Sequence, residues 1–330
     1  MARHVARIAV AGLLAAFVAA GVVAWGFAQY VRPGPLTSET VVVIPSGDGV
    51  DSIANRLGEA GVLAAPRVFA AAARLTGVGS SLRAGEYAFA PGISSREVLG
   101  LLRSGRTVVR RLTIVEGLTV AEVVRQFLAT EGLIGEVGAI PDEGSLLPET
   151  YHFSYGDSRE AMVARMASAM TETVDALWAR RVPGLPLADQ REAVILASLV
   201  EKETAREDER ARVAGVFTHR LRRKMKLQSD PTVAYALTSG NGPLERRLGG
   251  DDLATVSPYN TYMVRGLPPA PICNPGRASL RAAMNPLETD ELYFVADGDG
   301  GHVFARTYAE HRRNVARWRK IREQRSDSGS

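Results

Sequence analysis

The chain has 330 residues, of which 46% are hydrophobic and 23% are charged, and its formal net charge at pH 7 is +4. This composition excludes a disordered chain, and the single Cys273 excludes a disulfide scaffold or a thiolate metal site. Eight basic residues and only three acids lie in residues 306–330, so the positive charge belongs to the C-terminal tail and does not indicate a nucleic-acid partner. The five histidines are scattered, and we expect neither a metal nor another cofactor.

The first predicted element is an apolar helix. Residues 8–28 contain no charge, and a helix of that length covers roughly 30 Å, the thickness of the hydrocarbon core of a bilayer. Arg3 and Arg7 precede it, which predicts a cytoplasmic N-terminus and an exported remainder. A cleaved signal peptide and a buried core helix are the alternatives, but the length and the lack of a clear cleavage site favour an anchor. We therefore expect residues 1–32 to hold the chain in the cell (inner) membrane as a single-pass protein.

Two stretches seventy residues apart share a strand, turn and helix pattern. Residues 41–44 form a β-branched run that leads to a turn at Gly47, and residues 112–115 lead in the same way to Gly117; apolar residues at helical spacing follow each turn. Between them the pattern predicts a helix near 67–76, a strand at 87–90 and a helix at 95–103. Residues 38–133 are therefore expected to form a small α+β module.

The second half of the chain predicts a larger mixed domain. Residues 134–158 are rich in glycine, proline and acids, which is typical of a linker, and a helix with a methionine-containing core face follows. A strand at 292–296 and a hairpin reaching residue 304 come near the end. We expect a catalytic domain over 134–318, a basic, disordered tail over 319–330, and the fold class α+β for the whole chain.

One acidic residue stands out on a predicted buried helix. Residues 193–200 carry no charge, and a helix that is apolar on all sides is buried. Glu201 follows on the same face as Ala197, close to the negative end of the helix dipole. Both conditions favour the protonated carboxyl group, which is the form that a general acid requires. The alternative is a structural role, in which Glu201 and Glu203 cap the loop or pair with Lys202 and Arg206.

Two polar loops follow this helix. The first contains Gln228 and Asp230 and opens another apolar stretch. The second, over residues 257–269, contains Asn260 and Tyr262 and is dense in hydroxyl, amide and aromatic groups. Such a mixture suits sugar rings, whose faces stack on aromatic side chains and whose edges accept and donate hydrogen bonds. An ordinary cluster of turns is the alternative.

Taken together, the sequence resembles the endolytic murein transglycosylase family, also called YceG-like. The resemblance covers nearly the whole chain, with an N-terminal anchor and a LysM-like region over about 38–105. It rests on seven ordered blocks: LPETY at 147–151, ASLVEKET at 197–204, LQSDPT at 227–232, YNTY at 259–262, GLPP at 266–269, YFVA at 293–296 and TYAEH at 307–311. The chain departs from the family pattern at Ser229, where threonine is common.

The resemblance implies a membrane-anchored lyase that cuts nascent peptidoglycan strands internally. The bond cleaved joins N-acetylmuramic acid to N-acetylglucosamine, and the product carries a 1,6-anhydro end that terminates elongation. The catalytic glutamate of the family falls on Glu201, as acid and then base. The residues expected to bind substrate are Glu149, Gln228, Asp230, Asn260 and Tyr262. The implied partners are peptidoglycan strands, the membrane and peptidoglycan synthases, with no nucleic acid.

The number of acids bears on the type of reaction. A glycosidase pairs its acid with a second carboxylate roughly 5 to 9 Å away, and no second acid is marked out as strongly as Glu201. In a lytic transglycosylase the C6 hydroxyl of the muramic acid attacks internally, so that one glutamate suffices. Two alternatives remain: a two-carboxylate muramidase that uses Glu203 or Asp230, and a non-catalytic wall-binding scaffold built on the LysM-like region.

Overall fold

The computed structural model describes the backbone of residues 2–327 and the side chains of residues 7–324. This part of the chain is α+β, as predicted. Its helices are α1 (Ala2–Val31), α2 (Val50–Glu59), α3 (Pro66–Leu75), α4 (Ser95–Ser104), α5 (Val120–Ala129), α6 (Arg159–Trp178), α7 (Gln190–Glu203), α8 (Glu207–Arg222), α9 (Asp230–Thr238), α10 (Arg277–Met284) and α11 (Tyr308–Asp327). Its strands are β1 (Thr40–Ile44), β2 (Gly85–Phe89), β3 (Arg110–Thr113), β4 (Thr150–Phe153), β5 (Tyr293–Ala296) and β6 (His302–Ala305). They form three two-stranded sheets, β1-β2, β3-β4 and β5-β6.

The N-terminal helix α1 contains the predicted anchor segment. Its stretch Arg7–Val31 has a mean hydropathy of 2.4, and the span is long and apolar enough to cross a membrane. Its most apolar 18-residue window is not buried against the rest of the chain, and only the end of the helix, at Tyr30, packs on the core of the first unit. A core helix of a soluble protein would be mostly buried, so the exposure agrees with a single-pass anchor.

The first compact unit comprises Met1–Arg110 together with His152–Asp157. Its core forms where β1 pairs antiparallel with β2 and packs with α2, α3 and α4. Tyr87 and Phe89, the aromatic residues of β2, are fully buried in this core. They stabilise the unit by removing large apolar surfaces from water. The LysM-like character of this region stays a prediction.

The second unit comprises Arg111–Tyr151 and the chain from Ser158 onwards. Its core is built around α7, which is buried on all sides because its middle carries no charged residue. The helices α8 and α10 pack against it, with Val213, Phe217 and Leu280 in the shared cluster. A charged residue at the C-terminal end of α7 therefore lies next to the buried core of the unit.

The structure adds detail to the stretch that the sequence describes as a linker. Residues 134–158 contain strand β4, which pairs with β3. The helix α5 belongs to the second unit, and the Val120 N–H of its first turn donates to the Glu143 carboxylate of that unit at 2.9 Å. The domain boundary at residue 133 stays a prediction.

The basic tail is helical as far as the structure describes it. The helix α11 continues to Asp327, so that residues 319–327 are helical; residues 328–330 lie outside the described part. Arginine, lysine, glutamate and glutamine favour helices because they lose little side-chain freedom there. Arg322 lies over the ring of Trp318, one helical turn earlier, at 4.8 Å from its centroid.

Candidate active site

The Glu201 carboxyl is buried at the end of α7, with its side chain 5% exposed. One of its oxygens accepts a hydrogen bond from the Gly276 N–H at 2.8 Å. The other oxygen lies 3.4 Å from the guanidinium of Arg210. The burial expected from the sequence is therefore observed, and a cation and a backbone donor offset part of the cost of burying the charged form.

Arg210 lies on α8 and faces two carboxylates. Its side chain is 11% exposed, and its Nε donates to the Ser279 hydroxyl at 3.2 Å. The terminal nitrogen that approaches Glu201 also lies 3.7 Å from a carboxylate oxygen of Glu116. One fixed guanidinium thus holds two acids at the same place.

Glu116 is the acid that the sequence analysis missed. It follows β3 and precedes Gly117, and its side chain is 43% exposed. The carboxyl lies against Gly276, where a Cβ would come within 1.8 Å of it, so a side chain at position 276 would displace it. Burial and the charge of Glu201 raise the pKa of Glu116, and the charge of Arg210 opposes this shift. The only sequence signal for Glu116 was its position directly before Gly117, the glycine of the second strand, turn and helix pattern.

A buried amide fixes the turn that carries Glu116. Asn274 is fully buried, and its side chain donates to the Leu118 carbonyl at 3.0 Å and accepts from the Leu146 N–H at 3.0 Å. Its backbone carbonyl accepts from the Gly117 N–H at 3.0 Å. Lys202, next to Glu201, donates to the Gly117 carbonyl at 3.2 Å. The turn is thus bonded to the segment before α10 and to the end of α7.

Three of the predicted substrate-binding residues come together at a cavity of about 500 Å³. Gln228, Asp230 and Tyr262 line it, and the Tyr262 hydroxyl donates to Asp230 at 2.6 Å. Glu203 lines the same cavity. Glu203 and Asp230, the two acids named for the muramidase alternative, therefore both line this cavity. The acid that lies beside Glu201, on the same Arg210, is Glu116.

The other two predicted binding residues make contacts within the chain. Asn260 is fully buried; its amide donates to the Leu253 and Thr255 carbonyls at 3.0 and 2.8 Å and accepts from the Tyr262 N–H. In this structure it shapes its own loop. Glu149 forms an ion pair with Arg277, which directly follows Gly276. It is thereby fixed close to the donor that binds Glu201.

The described residues contain no group of three or more histidine, cysteine, aspartate or glutamate side chains that could hold a metal ion. Cys273 is fully buried, and burial raises the pKa of its thiol well above the usual value. The thiol is therefore neutral and enclosed, and Glu201 with its two neighbours remains the candidate centre.

Known proteins resemble this chain over most of its length. The endolytic murein transglycosylase of Bacillus subtilis is 31% identical over 315 residues, which cover 85% of this chain and 86% of that protein. The protein of the same name from Streptococcus pneumoniae R6 is 30% identical over 83% of this chain; the match spans only 57% of its own length. A crystal structure of a yceG-like protein from Listeria monocytogenes matches with a TM-score of 0.54 and 28% identity, covering 84% of this chain and 98% of that one.

The family comparison gives the same result. The YceG-like family matches residues 42–317, which cover most of both compact units and every residue placed around Glu201. The chain therefore belongs to the YceG-like family.

Proposed function

We propose that the protein is an endolytic peptidoglycan lytic transglycosylase with Glu201 as its catalytic residue. The observation that carries the proposal is the Glu201 carboxyl, which is buried between one backbone donor and one guanidinium. The relatives named endolytic murein transglycosylase support the reaction class and the substrate. The bond cleaved is the β-1,4 link between N-acetylmuramic acid and N-acetylglucosamine in nascent strands.

The proposed reaction needs one group that first gives and then takes a proton. Protonated Glu201 donates to the departing O4 of N-acetylglucosamine as the bond from C1 of the muramic acid breaks. The carboxylate that results accepts the proton of the C6 hydroxyl as its oxygen attacks C1. One C–O bond is broken and one is formed, a proton moves from O6 to O4, and no water is consumed. The Gly276 N–H and Arg210 stabilise the carboxylate between these steps.

A two-carboxylate muramidase is the second candidate, and the position of Glu116 favours it. A hydrolase uses its second acid as nucleophile or as base for water. Burial and the charge of Glu201 raise the pKa of Glu116 against the opposing charge of Arg210, and this shift works against the carboxylate form that a nucleophile or a base requires. The lyase reaction, for which one acid suffices, therefore stays the first proposal.

The masses of the products decide between these reactions. The full chain in detergent micelles is incubated with uncrosslinked glycan strands. We expect ends that are lighter by one water molecule than hydrolysed ends. Glu201→Gln should slow cleavage by about 10² to 10⁴-fold. Glu172→Gln, which changes an exposed acid on α6, should leave the rate unchanged.

Three outcomes contradict the proposal. Ends that contain an added water molecule identify the muramidase, and Glu116→Gln should then remove activity as fully as Glu201→Gln does. A parent protein that binds strands without cutting them leaves the wall-binding scaffold. A Glu201→Gln variant that cleaves at the parent rate removes Glu201 from the reaction.

We extend the proposal to the placement of the enzyme. Helix α1 anchors it in the cell membrane with a cytoplasmic N-terminus, so that the parts of both compact units that follow α1 lie on the extracytoplasmic side, where they meet nascent strands and peptidoglycan synthases. The LysM-like part of the first unit orients the glycan. Protease added to intact spheroplasts should digest both units, and their protection would contradict this orientation.

A further inference from the structure

The C-terminal helix α11 has two sides of different character. Its inner side packs on the hairpin of β5 and β6, and His311, Val315 and Trp318 on that side line the cavity of about 500 Å³. These three side chains are half-buried. The opposite side of the helix is exposed to solvent, and the proposed reaction does not use it.

The exposed side of α11 carries five cations. At about 100° per residue, an arc of roughly 160° around the helix contains all of them, and they extend over roughly 12 Å of its length. We call this set the basic face: Arg312, Arg313, Arg317, Arg319 and Lys320. Ala309 and Ala316 lie on the same arc between the cations. No bulky apolar side chain therefore separates the basic face from a flat surface that approaches it.

Few acids compete for these cations. Between His311 and Arg322 the helix contains no aspartate or glutamate. Glu310, before the basic face, accepts from the backbone N–H groups of Arg306 and Thr307 at 3.0 and 3.1 Å. Glu323 follows the face, so two acids flank five cations. Within the part of the chain whose side chains are described, none of the five forms an ion pair, and their charge is open to an external partner.

The distribution of charge over the chain directs an anionic partner to this helix. Residues 306–330 contain eight basic residues and three acids, a net charge of +5, whereas the whole chain has a net charge of +4. The rest of the chain therefore contributes about −1. An anionic surface that is attracted by the charge of this protein is attracted to α11.

The anchor helix α1 favours a lipid surface as the partner. Its apolar span keeps the rest of the chain tethered to one bilayer. A tethered group meets its surface at a high effective concentration, so that a modest attraction is enough. Each arginine or lysine close to anionic phospholipids raises the ratio of bound to unbound protein about fivefold. Five such cations on one arc form the second attachment that a single anchor leaves open.

We propose that the basic face of α11 docks on the anionic phospholipid headgroups of the membrane that holds α1. The inner side of the same helix would then lie about one helix diameter, roughly 10 Å, from the headgroups. Docking would thus hold the wall of the cavity next to the bilayer surface. The use of this position, to receive strands that are still close to the membrane, rests on the proposed function.

Quenching of a fluorophore on the basic face tests the docking. The full chain is inserted through α1 into lipid nanodiscs, and Ala316→Cys provides the labelling site, since Cys273 is fully buried. The discs contain phosphatidylcholine alone or with phosphatidylglycerol, and both kinds carry a spin label on a headgroup. We expect strong quenching only in the anionic discs. Salt at about 1 M should remove it, because the Debye length then falls to about 3 Å.

Charge removal locates the docking surface. Arg312→Gln/Arg319→Gln/Lys320→Gln removes three charges from the basic face, and the ratio of docked to undocked protein should fall about 100-fold. The matched variant replaces three exposed arginines elsewhere in the second unit and should dock as the parent does: Arg180→Gln/Arg247→Gln/Arg281→Gln. Glutamine is a good helix former, and circular dichroism checks that each variant is folded.

Three outcomes overturn the docking. Equal quenching in neutral and anionic discs would show that charge does not cause the contact. Equal losses for the two triple variants would show that the net charge of the protein acts and not the basic face. A label that stays unquenched in anionic discs but responds to soluble polyglutamate would identify an acidic protein as the partner.

Cleavage in neutral detergent micelles separates this inference from the proposed function. Such micelles contain no anionic lipid, so the triple variant of the basic face should form anhydro ends at the parent rate. A slower reaction there would show that these cations act on the site and not on lipid. Docking without any cleavage by the parent contradicts only the proposed function. Cleavage by a parent protein that does not dock contradicts only the present inference.

Discussion

The chain builds one local pattern twice, and the two copies have different surroundings. In the first copy β1 leads through Gly47 into α2, and in the second β3 leads through Gly117 into α5. Both glycines adopt left-handed backbone conformations, with φ of 89° and 81°. Both helices bury the same spacing of apolar residues: Ile53 and Leu57 in α2, Val123 and Phe127 in α5. The backbone of the turn is therefore the same in both copies.

The neighbours of the turn differ. A Cβ at Gly47 would meet nothing within 4 Å, whereas a Cβ at Gly117 would lie 3.6 Å from side-chain atoms of both Glu201 and Lys202. The residue before the first glycine is the exposed Ser46; before the second it is Glu116, beside Arg210. The same turn is thus a surface feature in one unit and a wall of the candidate active site in the other.

The helix starts differ as well. The first residue of α2 follows Gly49, which provides no side-chain cap. In α5, Thr119 and Glu122 form a capping box, and the Glu143 carboxylate accepts from the Val120 N–H at 2.9 Å. Local sequence determines the strand, turn and helix, but the chemistry comes from residues that tertiary packing adds around the second copy.

The largest effect is expected where the cation beside the second turn is removed. With Glu201 ionised, Arg210→Ala leaves this carboxylate and Glu116 without their shared partner, and breaking a buried ion pair costs about 3 to 5 kcal/mol. The free energy of opening of α7, measured by hydrogen exchange of its peptides, should fall by about 3 kcal/mol. This local readout is preferable because two compact units need not unfold together.

A neighbouring arginine serves as the control for this variant. Arg212→Ala removes a partner of Glu291, but Arg212 is 44% exposed, so the loss should be about 1 kcal/mol or less. The double variant Arg210→Ala/Glu201→Gln should lose less than Arg210→Ala, because the uncompensated buried charge is gone. Equal losses for both arginine variants would show that the second turn does not depend on a buried cation.

A smaller effect is expected from the acid that caps α5. Burial raises the pKa of Glu143 to about 7, although the Val120 N–H and the Tyr235 hydroxyl oppose the shift. The folded state therefore holds this proton more tightly than the unfolded state. The resulting stability is present below about pH 4.5 and is lost as the pH rises through 7; it amounts to at most about 3 kcal/mol.

Glu143→Gln should remove that share of the pH dependence. The glutamine keeps an acceptor for the Val120 N–H but does not titrate. The free energy of unfolding of the variant should therefore fall less between pH 4.5 and pH 8 than that of the parent protein. Glu203 titrates in the same range and remains in both proteins. Tyr235→Phe keeps the carboxyl and removes a hydroxyl that opposes the shift, so the pH dependence should persist and extend to higher pH. Denaturation of the second unit at several pH values measures both, and parallel curves for parent and Glu143→Gln would contradict the assignment.

These differences also mark how far the sequence could be used to predict the fold. Apolar periodicity located β1, α2, α4 and α7, because burial of one face determines each element locally. Strand β4 was missed since it has only four residues, lies in a stretch rich in glycine and acids, and gains its bonds from β3, which precedes it by more than thirty residues. Short strands of this kind depend on their partner and not on their own pattern.

The candidate site shows the same limit. The burial of Glu201 followed from the uncharged run before it on α7. Glu116 contacts Arg210, and Gly276 contacts Glu201. The two residues of each pair lie 75 or more positions apart in the sequence, so no local pattern connects them. Asn260 resembled a sugar-binding amide in sequence, whereas its environment buries it completely. Residue type indicates the available chemistry, but only packing determines which groups face each other.

The smallest effect comes from a matched pair of substitutions at the two turns. Gly47→Ala and Gly117→Ala each place a Cβ on a left-handed backbone, which costs about 1 to 2 kcal/mol in both copies. The loss of stability should therefore be nearly equal. Only Gly117→Ala brings a methyl group into contact with Glu201 and Lys202, so it alone should reduce kcat for glycan cleavage, by a few-fold. The contact distance of 3.6 Å is ordinary, so the expected change is modest and reflects crowding of the carboxyl and not a collapse of the site. If both variants lose stability and neither loses activity, the second turn only supports the fold. If Gly47→Ala slows cleavage as much as Gly117→Ala does, the slower cleavage comes from general destabilisation. The contact with Glu201 is then irrelevant to the reaction.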